Sequence, residues 1–272
     1  MIVEGVETDF RRQMSYSDYL GLAPLLSAQK PLSTVHDEML FIIMHQVQEL
    51  WMKLLLHEMD LAMDRIRADD LRPAFKATAR ISRIQAQMGA AWDVLSTMTP
   101  HDYLAFRDHL GSSSGFQSWQ YRACEFRMGA KSDFMLKPHA HDPALMEKLI
   151  PIYEAPSLYD EALRLLARRG IPLPPEVTER DWRQPYTAHP AVEAAWETVY
   201  RNAERYFDLY ELAEELVDIE DQFRVWRFRH LTTVERIIGM RRGTGGSPGV
   251  PYLRAVLEKP FFPELWSVRT RL

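Results

Sequence analysis

The chain has 272 residues, of which 46% are hydrophobic and 26% charged, a balance typical of a globular protein with a substantial core. Its formal net charge of −5 provides no basic field for a nucleic acid backbone or an anionic membrane surface, so neither partner is expected. Cys124 is the single cysteine, which excludes an intrachain disulfide and a multi-cysteine zinc or iron–sulfur site and fits a reducing compartment.

The N-terminal stretch MIVEGVETDFRRQ has acidic residues where a secretory signal would have a basic region and an apolar run. The strongest apolar run, MLFIIM at residues 39–44, is far shorter than the roughly 20 residues that cross a bilayer. A soluble, cytoplasmic protein is therefore expected. Further along, MSYSDYLGL places Tyr16, Tyr19 and Leu20 at helical spacing, a pattern typical of core packing that would also suit an apolar pocket.

Apolar residues recur every three or four positions along much of the chain, which predicts an all-α fold, a bundle of long helices in one domain over residues 1–272. We expect a first long helix from Thr34 or Val35 to beyond Asp60, with Ser33 or Thr34 as its cap. A second is expected from Arg72 to Thr97, and a third within residues 114–129.

Two later regions differ from this pattern. Residues 137–190 are proline-rich, with short helical pieces such as YDEALRLLARRG ending at Gly170, and they predict an inserted helical subdomain. Residues 191–238 contain neither proline nor glycine, which predicts one long helix or two nearly collinear helices. The following GTGGS comes after a helix, the reverse of the strand–loop–helix order of nucleotide phosphate sites.

Two histidines lie on apolar helix faces. His230 shares its face with Phe223, Trp226 and Ile237, so its ring should enter an apolar interior. His45 lies on the first long helix, four residues after Phe41. Each is either a core histidine bonded to a carbonyl group or a ligand, and neither position alone decides between these.

The segment YLAFRDHLGSSSGFQSWQYR, residues 103–122, places Tyr103 and Arg107 on one helical face. A guanidinium fork with a phenol beside it suits a carboxylate, although a surface arginine next to a packed tyrosine would give the same spacing. The run from Gly111 to Gly115 offers hydroxyl and unhindered N–H groups for an anion, or forms a turn.

Four strings stand in order along nearly the whole chain: SYSDYL, DEMLFIIMHQVQELWMK, YLAFRDHLGSSSGFQSWQYR and RFRHLTTVERIIGMRRGTGGSPGVPYL. Together they resemble the tryptophan 2,3-dioxygenase family. The resemblance implies an all-α homotetramer that binds haem b and is active with ferrous iron. It also implies insertion of O₂ across the indole C2–C3 bond of L-tryptophan to give N-formyl-L-kynurenine, the first step of tryptophan degradation through kynurenine.

The resemblance also implies a role for each matching residue. His230 is expected to be the axial ligand of the haem iron, and His45 the residue that accepts a hydrogen bond from the indole N–H group. The remaining matches are expected to bind substrate: Phe41 beside the indole, Tyr103, Arg107 and Thr244 at the amino-acid end, Ser114 and Gly115 near the haem edge. Tyr16, Tyr19 and Leu20 match a segment that completes the neighbouring subunit's site.

Three alternatives stay open at this stage. The indoleamine 2,3-dioxygenase group performs the same chemistry, but as the families compare it has serine where this chain has His45. A helical haem sensor or carrier would need His230 but not the carboxylate clamp of Arg107 and Tyr103. A helical scaffold would bind no cofactor at all.

Overall fold

The computed structural model describes residues 6–272, and none of these lies in a β-strand. The predicted all-α class is therefore confirmed. The expectation that the N-terminal stretch is not a secretory signal falls partly on residues 1–5, which lie outside the described residues.

The α-helices in chain order are α1 Tyr16–Leu20, α2 Leu22–Leu26, α3 His36–Arg67, α4 Leu71–Leu95, α5 Pro100–Phe106, α6 Trp119–Arg127, α7 Pro143–Glu154, α8 Leu158–Arg168, α9 Pro175–Thr178, α10 Pro190–Arg201, α11 Phe207–Ile238, α12 Val250–Leu257 and α13 Pro263–Ser267. Short 3₁₀ turns occupy Arg107–Leu110, Gly115–Gln117, Asp133–His139 and Val268–Thr270.

Three long helices, α3, α4 and α11, form the centre of the molecule. The buried side chain of Gln48 in α3 ties them together, because its amide donates to the Met88 carbonyl of α4 at 2.8 Å and accepts from Trp226 Nε1 of α11 at 3.1 Å. A buried amide with its hydrogen bonds made fixes the register of its neighbours, since a shift would leave polar groups unpaired.

The start of α3 differs from its predicted capping. Neither Ser33 nor Thr34 occupies the capping position, which belongs to Val35 and has no side-chain bond. Instead the buried carboxylate of Glu38 accepts the N–H groups of Leu32 and Ser33, each at 2.7 Å. The carboxylate thus anchors the preceding turn and lies where a helix N-terminus favours negative charge.

The proline-free region forms two helices, α10 and α11, separated by a turn over residues 202–206. Tyr200 near the end of α10 hydrogen-bonds to Glu214, two turns into α11, and its ring lies 5.4 Å from that of Tyr210. Fourteen residues of nearly collinear helix would rise about 20 Å, too far for this contact. The chain therefore bends here, and the predicted collinear arrangement is wrong.

Helix α3 is long and apolar enough to cross a membrane, although the core helix of a soluble protein can have the same length and composition. The short uninterrupted apolar run at residues 39–44 therefore understated how apolar the whole helix is. One face packs against α4, α6 and α8, while Met39, Ile43, Leu50, Leu54 and Leu61 remain exposed on another.

The interval 137–190 contains α7, α8 and α9. Helix α8 begins at a capping box formed by Ser157 and Asp160 and is buried along most of its length against α3. Its end is followed by Gly170, whose φ of +82° is the left-handed conformation expected of a glycine cap. Whether the interval behaves as a subdomain stays a prediction.

Candidate active site

His45 and His230 come together in the centre of the molecule, one from α3 and the other from α11. The indole ring of Trp92, from α4, lies against both, with ring centroids 6.4 Å from His45 and 4.7 Å from His230. Trp226, one turn before His230, packs on the same imidazole at 5.6 Å. The two predicted histidines therefore share one aromatic pocket, held by the three central helices.

The hydrogen bond of His45 determines its tautomer. Nδ1 lies 2.7 Å from the Phe41 carbonyl oxygen. Because a carbonyl oxygen only accepts, Nδ1 carries the proton and Nε2 is left as an acceptor. Burial lowers the pKa of His45, against the opposing effects of the Phe41 carbonyl group and Glu49. The ring is consequently neutral at pH 7 and presents one acceptor nitrogen.

His230 has the surroundings of a potential metal ligand. Burial, with a smaller contribution from His45, lowers the pKa of His230 to about 4, so the ring is neutral at pH 7. Within residues 6–272 its ring nitrogens make no hydrogen bond, and the neighbouring Trp92 Nε1 is buried without a partner. A neutral imidazole with an uncommitted nitrogen is the form that binds iron. These residues therefore fit an axial haem ligand and its polar surroundings.

Phe41 and Tyr103 extend the pocket on the His45 side. The Phe41 ring lies 4.2 Å from the His45 ring and 5.9 Å from the Tyr103 ring. Burial raises the pKa of Tyr103, and the charge and hydrogen bonding of Arg107 oppose that rise. Tyr103 is therefore a neutral phenol beside a guanidinium, at the edge of an aromatic surface.

Arg107 and Thr244 meet across two segments distant in sequence. Arg107 Nη2 donates to the Arg242 carbonyl oxygen at 2.7 Å, and the Thr244 hydroxyl donates to the Ser113 carbonyl oxygen. The glycine-rich loop thus lies directly over the segment that carries Tyr103 and Arg107. The guanidinium of Arg107 thus points towards the loop, and its role as a carboxylate clamp stays a prediction.

Ser114 and Gly115 sit where this loop approaches. The Ser114 hydroxyl accepts from Phe116 N at 3.3 Å and so caps the short 3₁₀ turn Gly115–Gln117. Phe116 in turn packs on Tyr252 of α12 at 5.9 Å. The predicted residues Phe41, His45, Tyr103, Arg107, Ser114, Gly115, His230 and Thr244 therefore line one region of the molecule.

Tyr16, Tyr19 and Leu20 are not part of this region in the single chain. They lie on α1, with Tyr16 74% and Tyr19 76% exposed. The segment that follows reaches α3 one residue after His45, because Gln29 Nε2 donates to Gln46 Oε1 at 2.6 Å. Helix α1 itself leaves its aromatic side chains in solvent.

Two features of the site were missed from the sequence. Trp92 continues the spacing of Met88 and Leu95 on the buried face of α4, which was the available signal, but nothing local marks it as a neighbour of both histidines. The second is an ionic network: Glu125 pairs with Arg122 and, at 2.9 Å, with Arg227, all three buried. A buried carboxylate needs such partners, but only the fold brings Arg227 to α6.

Comparison with known proteins agrees with this geometry. The family description "Tryptophan 2,3-dioxygenase" matches the chain in two segments, residues 1–199 and 197–272. The tryptophan 2,3-dioxygenase of Polaromonas sp. strain JS666 is 61% identical over 99% of this chain and 92% of its own length. Those of Burkholderia cenocepacia and Bordetella parapertussis are 59% and 58% identical, over 98% and 99% of this chain and 86% and 95% of their own lengths. The chain belongs to the tryptophan 2,3-dioxygenase family.

Proposed function

We propose that this chain is a haem-dependent dioxygenase that inserts both atoms of O₂ across the indole C2–C3 bond of L-tryptophan, giving N-formyl-L-kynurenine in the first step of tryptophan degradation. The observation that carries the proposal is the meeting of two neutral histidines in one aromatic pocket, next to a tyrosine–arginine pair. Family membership supplies the reaction.

His230 holds the cofactor in this proposal. Its neutral ring and uncommitted nitrogens support the role of axial ligand. When bound, haem b with ferrous iron supplies the redox chemistry towards O₂ that protein side chains lack. The rings of Trp92 and Trp226 pack against the imidazole of His230 and against each other, and the buried Trp92 N–H offers a donor beside it.

His45 orients the substrate. Its Nε2 is an acceptor because Nδ1 donates to Phe41, so an indole N–H group can donate to it. Indole is far too weak an acid for a neutral imidazole of lowered pKa to deprotonate it readily, so we assign His45 to orientation and not to an obligatory base. Phe41, 4.2 Å from that imidazole, packs beside the indole.

The amino-acid end of tryptophan binds to Arg107, Tyr103 and Thr244. Guanidinium and phenol donate to the carboxylate, while the Thr244 hydroxyl contacts both the ammonium and carboxylate groups. Ser114 and Gly115 lie beside this end, near the haem edge. The loop above them excludes water from the reacting groups. Binding at both charged ends distinguishes an amino-acid substrate from a simple indole.

We propose further that the active form is a homotetramer, in which Tyr16, Tyr19 and Leu20 complete the pocket of a neighbouring subunit. The exposure of Tyr16, Tyr19 and Leu20 together on one short helix supports this, because a contiguous exposed apolar patch is typical of an interaction surface. The exposed apolar residues of α3, from Met39 to Leu61, offer additional surface for association. A cytoplasmic location fits the buried, unpaired thiol of Cys124.

One experiment tests the function directly. Purified, haem-loaded protein is reduced and mixed aerobically with L-tryptophan while the absorbance of N-formylkynurenine is followed. Growth of product with a haem spectrum supports the proposal. Haem without product would leave a haem carrier or sensor as the function, and failure of folded protein to take up haem would favour a scaffold.

A further inference from the structure

The glycine loop, residues 239–249, touches the segment 107–115 at two polar contacts. Arg107 Nη2 donates to the Arg242 carbonyl oxygen at 2.7 Å, and the Thr244 hydroxyl donates to the Ser113 carbonyl oxygen. Both contacts involve a side chain that the proposed function assigns to the amino-acid end of the substrate. The position of the loop against this segment therefore determines where the Arg107 guanidinium and the Thr244 hydroxyl lie relative to each other.

Gly245, next to Thr244, lies so close to the facing segment that no side chain fits there. A Cβ atom at this position would lie 2.7 Å from Ser114 Cβ, 3.1 Å from Ser114 Oγ and 3.6 Å from the Ser112 carbonyl oxygen. Cβ atoms essentially never approach other atoms within 3.0 Å, and Ser114 Cβ is fixed to the backbone, so no side-chain rotation relieves the overlap. The backbone of Gly245 is not in the left-handed region, so the requirement is for space alone.

We infer that Gly245 is a positioning residue for substrate binding: its missing side chain lets the loop lie against Ser114 and brings Thr244 to the Arg107 clamp. Any side chain at 245 would lift the loop and separate Thr244 from Arg107. The inference rests on the proposed function for the identity of the substrate, but not for the contact itself.

The same loop contains a matched control. A Cβ at Gly243 would lie 2.7 Å from Ser247 Oγ, the end of a side chain that can rotate away, and 4.0 Å from Ser247 Cβ. Its backbone is likewise outside the left-handed region. Gly243→Ala and Gly245→Ala thus add the same methyl group to the same loop, and only the second meets an immovable atom of the facing segment.

The first experiment measures loop seating without turnover. Trypsin should cut after the exposed residues Arg241 and Arg242, and the rate is followed in the full-length, haem-loaded protein with and without L-tryptophan. We expect Gly245→Ala to be cut several times faster than wild type, with little protection by tryptophan, and Gly243→Ala to resemble wild type. Equal cleavage and equal protection in the two variants would overturn the inference.

Steady-state kinetics and a second substitution complete the test. Gly245→Ala should raise the KM for tryptophan by roughly tenfold to a hundredfold, the scale expected for a misplacement of about 1 Å, with the haem spectrum unchanged.

Ser114→Gly removes the atom that Gly245→Ala would strike, so in that background the alanine should change cleavage and KM much less. An equal effect in both backgrounds would contradict the role of Ser114. Absence of tryptophan turnover in wild type would instead refute the proposed function, while the cleavage comparison would still decide the loop contact.

Discussion

At the scale of single residues, His45 has one predicted contribution, an acceptor nitrogen for the indole. His45→Ala removes that acceptor while leaving His230 in place. We expect the Kd of tryptophan in the haem-loaded protein to rise about tenfold, the effect of losing one buried hydrogen bond of ~1.5 kcal/mol. Spectral titration with tryptophan measures this change, and a His45→Ala protein that bound tryptophan as tightly as wild type would refute the role.

The protonation state of His45 gives a separate prediction about pH. Burial lowers the pKa of His45 from its ordinary value of 6.5, so the neutral acceptor form persists below that pH. As pH falls through the lowered pKa, Nε2 gains a proton, ceases to accept, and tryptophan binding weakens. The Kd of tryptophan should therefore stay constant through pH 6.5 and rise only at more acidic pH. In His45→Ala this acid limb should be missing, and a limb centred at 6.5 in wild type would contradict the prediction.

Substitution of Arg107 tests whether this residue binds the substrate carboxylate. Arg107→Ala should raise the KM for tryptophan by roughly tenfold to a hundredfold, because hydrogen bonds to charged groups contribute about 1.5 to 3 kcal/mol each. Haem uptake should be unaffected, since Arg107 stands beside Tyr103 and the loop and has no contact with His230 within the described residues. Arg107→Lys keeps the charge but loses the fork, so partial recovery is expected. If the protein were a haem carrier without a clamp, wild type, Arg107→Ala and Arg107→Lys would have the same haem spectrum, and tryptophan would change none of the three spectra.

Some residues of the site can be recognised in the sequence, and others cannot. His45, Tyr103 and Arg107 stand out because their chemistry is unusual on a helical face. Trp92 does not stand out, because an aromatic residue at a buried spacing has many ordinary explanations. Its contact with both histidines depends on how α4 crosses between α3 and α11, and that crossing is set by packing across the whole bundle.

At the scale of elements, the helices α3 and α4 could be predicted because their apolar spacing is continuous, although the cap predicted for α3 was wrong. The break between α10 and α11 could not, since residues 202–206 contain no proline or glycine. Contacts between residues far apart in the sequence hold the two helices at this bend. Glu214 accepts from Tyr200 and from Arg269 near the C-terminus, at 2.9 Å in the second case. Such contacts override local helix propensity and leave no local mark.

The junction of the three central helices yields a stability prediction. Gln48→Ala leaves Trp226 Nε1 and the Met88 carbonyl group without their buried partner. We expect the free energy of unfolding to fall by about 1 to 3 kcal/mol, the usual cost of a buried polar group left unpaired. Denaturant unfolding monitored by tryptophan fluorescence measures it. Gln222→Ala on α11, whose side chain makes no hydrogen bond within the described residues, is the control and should change stability much less.

At the scale of the whole molecule, a single chain places Tyr16 and Tyr19 on the surface, away from the site they are proposed to complete. If one subunit supplies the tyrosines and its neighbour supplies Arg107, two variants that are impaired in different parts of the site should restore each other at a tryptophan concentration well below their raised KM. One variant carries Tyr16→Ser and Tyr19→Ser and keeps its clamp. The other carries Arg107→Ala and keeps its N-terminal segment.

When the two variants are co-expressed and co-purified through different tags, mixed tetramers should contain wild-type sites, in which an intact clamp meets an intact N-terminal segment. With random assortment about a quarter of the sites are restored, because each site draws its two parts independently. Activity well above the sum of the separately purified variants is the expected result. Activity equal to that sum in verified mixed oligomers would mean that each subunit builds its site alone, and the exposed tyrosines would then need another partner.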